Sequence, residues 1–194
     1  MRRRDLIGAF LTVPFLGLPA RGQEAFRAAP IDGGPYVPTP FVVVHRMLEL
    51  AGVRRDDVVY DLGSGDGRLV IEAARRYGAR GAGVERDERL VERARDAAAE
   101  AQVADRVVFR EGDIFDADLR EATVVTLYLL PRLLVKLVPK LRAELAPGSR
   151  IVSHDYPLEA WEPDRMLEFD VPEKAEHFLP PKTQLFLYVV RPPG

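Results

Sequence analysis

The sequence predicts an α/β fold of the Rossmann-like type, with a mostly parallel seven-stranded sheet, helices on both faces and an antiparallel last strand. Short apolar segments typical of buried strands alternate with longer amphipathic segments from residue 39 onward. A glycine-rich segment directly follows the first of these strands. The chain has 194 residues, 47% of them hydrophobic, and no cysteine, so we expect one globular domain without disulfides.

Two strand–helix pairs follow one N-terminal helix in the first half of this domain. The first helix should begin with Thr39 as N-cap and Pro40 at the first helical position, and it should end at Gly52. The pairs are predicted as a strand over 58–62 with a helix over 69–77, and a strand over 81–85 with a helix over 87–102. Apolar residues recur on one face of both helices, which predicts that they pack on the sheet.

The second half supplies the remaining strands of the sheet. Strands are predicted over 107–110, 123–127 and 150–153, and the helix over 132–145 contains Pro139, which should kink or restart it. The last two strands, over 165–170 and 184–190, are separated only by a loop, which predicts an antiparallel pair. In a sheet of this kind the ligand binds beyond the carboxyl ends of the strands.

The first 22 residues have the layout of a signal segment. Three arginines precede an apolar stretch over 6–18, and Arg3 and Arg4 fit the twin-arginine pattern. This stretch is short for a membrane span, which needs about 20 residues. We expect export to the periplasm, with a retained membrane anchor or an uncleaved cytoplasmic tail as alternatives. Residues 23–38 are an extended lead-in, and 39–194 form the folded domain.

The segment DLGSGDGR at 61–68 indicates a bound ligand, because its alternating glycines let the backbone approach one closely. A dinucleotide fingerprint would have glycine in place of Arg68. Asp61 and Asp66 would repel a pyrophosphate, but they suit the ammonium and sulfonium groups of S-adenosyl-L-methionine, the cofactor we expect. A tight turn without a ligand is the alternative. The predicted cofactor contacts of this segment are Asp61, Gly63, Ser64, Gly65 and Gly67.

Acidic residues also end the next two strands. Glu85 follows Asp61 by about the interval at which a carboxylate reaches the ribose hydroxyls, although it could instead be a solvated charge that begins the next helix. At the end of the third strand, Asp113 can accept a hydrogen bond from the adenine amine while Ile114 covers the ring. No metal site is expected.

The fourth and fifth strands end in candidates for the acceptor side of the site. Tyr128 is followed by two leucines, which lack the polar groups that grip a nucleobase or an amide, so neither substrate is expected. Tyr128 either faces the transferred methyl group or only packs. Asp155 or Tyr128 could accept the proton that an attacking amine must lose. We interpret His154 as a hydrogen-bonded residue at the rim, and no nucleophile elbow supports a hydrolase.

Four motifs together resemble the family of mitochondrial lysine methyltransferases that modify the ATP synthase c subunit and the adenine nucleotide translocase, in a bacterial branch. They are PYVPTP at 35–40, DLGSGDGR at 61–68, GVE at 83–85, and the late prolines with Trp161, at Pro157 and Pro163. The resemblance implies a class I methyltransferase fold and transfer to a lysine side chain of a protein. It also implies that a loop from Tyr36 to Thr39 covers the cofactor, with Tyr36 near the reacting groups, and proximity to a membrane.

Three other functions are compatible with parts of the sequence. A small-molecule methyltransferase would differ only in its acceptor, a non-catalytic module would bind the cofactor without transfer, and a nicotinamide dehydrogenase would need the glycine that Arg68 replaces. The net charge of -2, without a basic stripe beyond the N-terminus, argues against nucleic acid as a partner. We expect a monomer.

Overall fold

The computed structural model describes Gly34 and residues 36–192, so the signal-like segment and most of the lead-in lie outside the described residues. The helices are α1 (Phe41–Ala51), α2 (Arg68–Tyr77), α3 (Glu88–Glu100), α4 (Pro131–Glu144) and a 3-10 helix, Pro172–His177. The strands are β1 (Val58–Leu62), β2 (Arg80–Glu85), β3 (Val107–Glu111), β4 (Val124–Leu127), β5 (Arg150–His154), β6 (Arg165–Asp170) and β7 (Lys182–Val189).

All seven strands form one sheet in the order β3-β2-β1-β4-β5-β7-β6. The first five are parallel, and β7 is antiparallel to both of its neighbours. The predicted architecture is therefore confirmed. The strand order reverses between β1 and β4, so a crevice for a ligand opens beyond their carboxyl ends. Because β6 runs parallel to β5, the 3-10 helix that joins β6 to β7 lies at this same edge of the sheet.

Helices cover both faces of the sheet, as expected from the alternation of side chains along buried strands. Val59 of β1 packs with α1 and α2, whereas Tyr60 and Leu62 of the same strand pack with α4 on the opposite face. A third cluster joins α2 to α3 above β3, around the ring of Phe109. Strand residues therefore point alternately into two apolar cores, and the ends of the strands carry the polar residues.

Three local expectations need correction. The helix α1 begins at Phe41, because Pro40 has extended backbone angles and its carbonyl accepts the first helical hydrogen bonds, so the N-cap is Pro40 and not Thr39. Helix α4 does not restart at Pro139 but continues through it, with the proline on its exposed side, where water can bind the carbonyl left without a donor. The last two strands are joined by the 3-10 helix and not by a loop alone.

No helix in the described part of the chain is long and apolar enough to cross a membrane. Within the same residues, no group of three or more histidine, aspartate or glutamate side chains is arranged to hold a metal ion.

Candidate cofactor and acceptor site

The glycine loop between β1 and α2 is shaped by three left-handed residues. Gly63, Gly65 and Gly67 have φ angles of +80°, +53° and +78°, which side chains other than glycine rarely adopt. A Cβ on Gly65 would lie 2.4 Å from a ring carbon of Tyr36, and one on Gly67 would lie 2.6 Å from the ring of Phe109. The loop backbone is therefore enclosed between two aromatic rings.

Asp61, the last but one residue of β1, is buried at the base of this loop. Its carboxylate accepts one hydrogen bond from Thr126 Oγ1 at 2.8 Å. Burial raises the pKa of Asp61 to about 7, and the carboxylates of Glu85 and Asp66 contribute to the increase. A cation placed beside Asp61 would offset the free-energy cost of keeping this buried carboxylate charged.

The hydroxyl of Ser64 gives a second sign that the loop fits a polar ligand. Ser64 Oγ is buried and has no hydrogen-bond partner among the described residues. Such an atom normally finds a partner in protein, water or a bound molecule. With the buried carboxylate of Asp61 and the open backbone of the loop, it fits the amino acid part of S-adenosyl-L-methionine.

Glu85, at the end of β2, is fixed by backbone donors on both of its oxygens. Oε2 accepts from the Gly65 N–H at 2.9 Å, and Oε1 accepts from the N–H groups of Arg86 and Asp87 at 2.7 and 3.0 Å. The carboxylate is therefore oriented against the glycine loop and is not a mobile charge at the start of α3. Oε1 thus has both of its lone pairs engaged, whereas Oε2 keeps one further acceptor position, which could take a ribose hydroxyl.

The segment after β3 lies beside Glu85. Asp113 pairs with Arg86 at 2.7 Å and accepts from the Phe115 N–H at 3.0 Å, while the Gly112 N–H donates to the Glu85 carbonyl at 2.9 Å. Ile114 is half-buried and packs against the core below. Asp61, Glu85 and Asp113 thus stand in order at the ends of three adjacent strands, as the sequence predicted.

Arg68 connects the glycine loop to the segment that precedes α1. Its guanidinium pairs with both carboxylate oxygens of Asp66, at 2.8 and 2.6 Å, and donates to the Thr39 carbonyl at 2.8 Å. It also lies over the ring of Phe41, 5.0 Å from the ring centre. The arginine that argued against a dinucleotide therefore holds residues 36–40 over the loop.

Tyr36 is the residue of this covering segment that contacts the glycine loop. Its ring lies against Gly65, and burial, together with the charge of Asp66, raises its pKa to about 12. The hydroxyl therefore keeps its proton at neutral pH. This position agrees with the covering loop that the family resemblance implies.

The acceptor side of the site contains three polar groups at the ends of β4 and β5, together with the ammonium group of Lys174 from the 3-10 helix. The rings of Tyr128 and His154 stack with centres 4.0 Å apart. The Asp155 carboxylate pairs with the buried Lys174 at 2.6 Å and accepts from the Gln184 N–H at 3.2 Å. Burial, and then the charge of Asp155, raises the pKa of Tyr128 above its ordinary range, so its hydroxyl stays neutral.

The expectation for His154 was wrong. The side chain is fully buried, and neither ring nitrogen has a hydrogen-bond partner among the described residues. Burial lowers the pKa of His154 to about 4, so the ring is neutral at physiological pH. Asp155 has a left-handed φ of +61°, which turns its carboxylate back to 3.5 Å from His154 Nε2, whereas strand alternation would have separated the two.

Lys174 was missed because it lies in a segment that was interpreted as a loop. It is 3% exposed, and its ammonium group bridges Asp155 and the Lys182 carbonyl, at 2.6 and 3.1 Å. Thr126 was missed because a threonine within a buried strand carries no motif. For Lys174, a charged residue two positions after Pro172, no sequence pattern indicated that the side chain is buried.

Comparison with known proteins decides the family. The ANTKMT methyltransferase domain matches residues 61–165, from the Asp61 carboxylate to the start of β6. The chain is 46% identical over 140 residues to a protein-lysine N-methyltransferase of Saccharolobus islandicus, a match that covers 70% of this chain and 85% of the relative. The chain belongs to the ANTKMT methyltransferase family. The resemblance that the motifs indicated is therefore confirmed.

Two further relatives have the same fold or function class. The mouse adenine nucleotide translocase lysine N-methyltransferase is 38% identical over 159 residues, which cover 77% of this chain and 69% of the mouse protein. The second is an RNA methyltransferase from Salinibacter ruber, whose crystal structure is in complex with S-adenosyl-L-homocysteine. Its sequence is 51% identical to this chain, and its structure matches with a TM-score of 0.74. It covers 81% of this chain and 96% of that one.

The methyltransferase therefore uses S-adenosyl-L-methionine as its cofactor. The assignment of single residues to parts of the cofactor stays a prediction, as do the catalytic roles of Tyr36, Tyr128 and Asp155. What the structure adds is that all eight predicted cofactor residues lie at the carboxyl ends of β1, β2 and β3 or in the loops directly after them. They are Asp61, Gly63, Ser64, Gly65, Gly67, Glu85, Asp113 and Ile114.

Proposed function

We propose that this methyltransferase transfers a methyl group from S-adenosyl-L-methionine to the side-chain nitrogen of a lysine in a protein. The 46% identity to a protein-lysine N-methyltransferase, over 85% of that relative, is the observation that carries this proposal. The 38% identity to the mouse adenine nucleotide translocase lysine N-methyltransferase, over 77% of this chain, also supports it.

The cofactor would be held by the ends of three strands. Asp61 would pair with the ammonium group of its amino acid part, and Oε2 of Glu85 would accept a hydrogen bond from a ribose hydroxyl. Asp113 would accept from the adenine amine while Ile114 packs on the ring. The bound cofactor supplies an electrophilic methyl group on a sulfonium, and no metal is needed for this chemistry. Tyr36 and residues 37–40 would exclude water from above the glycine loop.

The acceptor nitrogen would be oriented by Tyr128. The Tyr128 hydroxyl lies beside the Asp155 carboxylate, which raises its pKa, so the phenol donates toward Asp155 and keeps its lone pairs for an incoming amine. Asp155 is already neutralised by Lys174 at 2.6 Å, which weakens it as a base. We therefore assign Asp155 a positioning role. The lysine would lose its proton to solvent as it is desolvated on entering the site, its nitrogen would take the methyl group, and S-adenosyl-L-homocysteine would leave.

RNA is the second candidate substrate, since the related crystal structure is described as an RNA methyltransferase. The leucines after β4 disfavour a nucleobase. Leu129 Cδ2 lies 3.0 Å from where Gly63 would carry a Cβ, and Leu130 Cδ1 lies 2.8 Å from the same point on Gly34. Both side chains pack against neighbouring loops, so this end of the strand offers apolar contacts where a base needs hydrogen-bond partners.

Methyl transfer to separated cell fractions tests the proposal. The purified full chain is incubated with methyl-labelled cofactor and with the protein, RNA or small-molecule fraction of a cell extract. Label should enter the protein fraction and be released as N-methyllysine on acid hydrolysis. The Glu85→Gln variant, which removes one cofactor contact, should transfer less label. Label confined to RNA or to small molecules would show that the acceptor is not lysine.

We also propose that residues 1–22 export the protein or anchor it at a membrane. Support comes from the arginine pair followed by an apolar stretch, a segment outside the described residues. Cell fractionation of the tagged full chain, compared with an Arg3→Lys/Arg4→Lys variant, tests this. Equal amounts of both proteins in the cytoplasmic fraction would contradict the proposal. We likewise propose that the protein acts close to a membrane and that it is a monomer.

A further inference from the structure

A groove opens between the start of α1 and the 3-10 helix, next to the acceptor side of the site. It has a volume of about 330 Å³. We call it the acidic groove; its lining residues are Pro38, Pro40, Phe41, Val42, Arg68, Glu173, Glu176 and His177. Both of its walls stand at the edge of the sheet where the parallel strands end.

Each wall is connected directly to the proposed reaction site. On one side, Arg68 binds Asp66 of the glycine loop, and the covering segment that begins with Tyr36 continues into the groove at Pro38. On the other side, Lys174, the chain neighbour of Glu173, reaches inward to pair with Asp155. A polypeptide lying in the groove would therefore pass beside the groups proposed to orient the acceptor nitrogen.

The electrostatics of the groove favour a cationic ligand. Glu173 and Glu176 are exposed and form no ion pair within the described part of the chain. The positive charge of Arg68 is offset by its two contacts with Asp66. The lining is thus left with two carboxylates that have no protein partner.

The groove also presents apolar contact area. Phe41 and Val42 are 52% and 42% exposed, although both begin a helix whose inner side is buried. Phe178 follows the lining residue His177 in the chain and is 98% exposed, so it adds apolar area beside the groove, outside its lining.

We propose that the acidic groove binds a basic segment of the protein substrate that flanks the acceptor lysine. Its two unpaired carboxylates would contact arginine or lysine side chains, and Phe41 and Val42 of its lining, with Phe178 beside it, would contact apolar residues between them. This inference rests on the proposed function, because it names the part of the substrate that the enzyme reads outside the reacting lysine. The same charges would repel the phosphates of RNA.

Peptide binding to the full chain tests the groove without relying on catalysis. Three fluorescent peptides share one central lysine and the same apolar residues, and they differ only in flanking arginines, serines or glutamates. With S-adenosyl-L-homocysteine present and at low ionic strength, fluorescence anisotropy should rank the arginine peptide as the tightest. The double variant Glu173→Gln/Glu176→Gln should weaken only that peptide, roughly threefold to tenfold in Kd, the effect of two exposed ion pairs.

A matched control removes the same charge elsewhere. Asp105 precedes β3 and Glu121 precedes β4, so Asp105→Asn/Glu121→Gln changes two exposed carboxylates at the opposite edge of the sheet. This control should bind the arginine peptide as the unmodified chain does. Equal affinity for the three peptides, or equal loss in both double variants, would overturn the proposal. The proposal would also be overturned if the groove bound a second copy of the chain. Sedimentation would then show a dimer that the Glu173→Gln/Glu176→Gln variant no longer forms.

Methyl transfer to the same peptides separates this inference from the proposed function. If all three peptides bind equally and are methylated at the same rate, the protein is a lysine methyltransferase that does not use the groove, so only the groove proposal fails. Selective binding of the arginine peptide without any transfer would support the groove and count against lysine as the acceptor. Selective binding with faster transfer, as kcat/KM, would support both.

Discussion

Tyr36 lies so close to Gly65 that a Cβ on the glycine would come within 2.4 Å of ring carbon Cε2. The glycine loop and the segment that covers it therefore fit each other only because residue 65 has no side chain. Arg68 secures the same contact from the side, through Asp66 and the Thr39 carbonyl. The site is closed by packing between two segments about 30 residues apart in sequence.

Gly65→Ala should therefore weaken cofactor binding more than it weakens folding. The new methyl group would displace Tyr36 and would add strain at a φ of +53°. We expect the Kd for S-adenosyl-L-homocysteine, measured by calorimetry, to rise by about tenfold or more, since a loss of about 1.4 kcal/mol suffices for that factor.

Gly52→Ala is the matched control for this substitution. Gly52 has a similar φ of +61°, but a Cβ there would meet nothing within 4 Å. The control should lose stability through backbone strain, by about 1 kcal/mol, and keep its cofactor affinity. Equal effects of the two substitutions on cofactor binding would show that Tyr36 is not part of the cofactor site.

The sequence predicted the mostly parallel sheet and the positions of the cofactor candidates at its strand ends because both depend on local patterns. Buried strands, amphipathic helices and alternating glycines are each visible within a window of about ten residues, and Asp61, Glu85 and Asp113 come directly after such strands. The acceptor side depends on contacts between distant segments. Lys174 reaches Asp155 only because β7 lies between β5 and β6, and no local pattern indicates that pairing.

Two of the expectations that failed, those for His154 and Thr39, have the same origin. His154 was expected at a rim because histidine is often exposed, but the last residue of β5 is covered by Tyr128. Thr39 is a common N-cap residue, but Arg68 binds its carbonyl, and the helix begins one residue after the proline. In both cases a contact from another part of the chain overrides the preference of the residue.

Cofactor affinity should depend on pH through Asp61. Burial raises the pKa of this carboxyl to about 7 in the cofactor-free chain, and an ammonium group beside it would lower that pKa. Binding below pH 7 must then release a proton, so affinity should increase as the pH rises toward 7 and level off above it, with a slope of up to about tenfold per pH unit. Calorimetry in buffers of different ionisation enthalpy measures this proton release.

Asp61→Asn supplies the comparison for that experiment. Its neutral amide keeps the size of the side chain and can still accept from Thr126. The variant should bind S-adenosyl-L-homocysteine more weakly, with little pH dependence between about pH 5 and 7. Parallel pH curves for the variant and the unmodified chain would mean that another group carries the titration and that Asp61 does not contact the ammonium.

The buried pair of Lys174 and Asp155 should be strongly coupled. Lys174→Met leaves the Asp155 carboxylate without its cation in a site where its side chain is 18% exposed. We expect a loss of about 3 kcal/mol in the free energy of unfolding, the scale for one broken partner of a buried pair. Urea denaturation measures the change.

A double-mutant cycle separates pairing from packing. Asp155→Asn keeps a residue type that tolerates the φ of +61° and the contact with the Gln184 N–H, so the double variant Lys174→Met/Asp155→Asn should recover at least about 1 kcal/mol relative to additivity. Lys182→Met, which breaks an exposed pair with Glu168, should change stability little. Additive losses at Lys174 and Asp155 would indicate that their contact contributes only through packing.

His154 should make the folded chain sensitive to mild acid. Burial lowers its pKa to about 4, from an ordinary value of 6.5, so the unfolded chain binds a proton in this window that the folded chain does not. Stability from this residue is complete above about pH 6.5 and is lost as the pH falls toward 4, by up to about 3 kcal/mol. Asp61 acts in the opposite direction over the same range, because its raised pKa makes the folded chain hold the extra proton.

His154→Phe isolates the histidine from that opposing effect. The ring can still stack on Tyr128, and no hydrogen bond is lost, since neither nitrogen of His154 has a partner among the described residues. The variant should match the unmodified chain near pH 7.5 and be more stable than it near pH 4.5, whereas a substitution of the exposed His177 to Asn should leave the difference unchanged. If urea denaturation gives the same pH profile with and without the His154 ring, the imidazole must take up its proton over the same pH range in the folded chain as in the unfolded chain. Its proton would then be shared with Asp155, 3.5 Å away, and the acceptor site would contain two cations around one carboxylate.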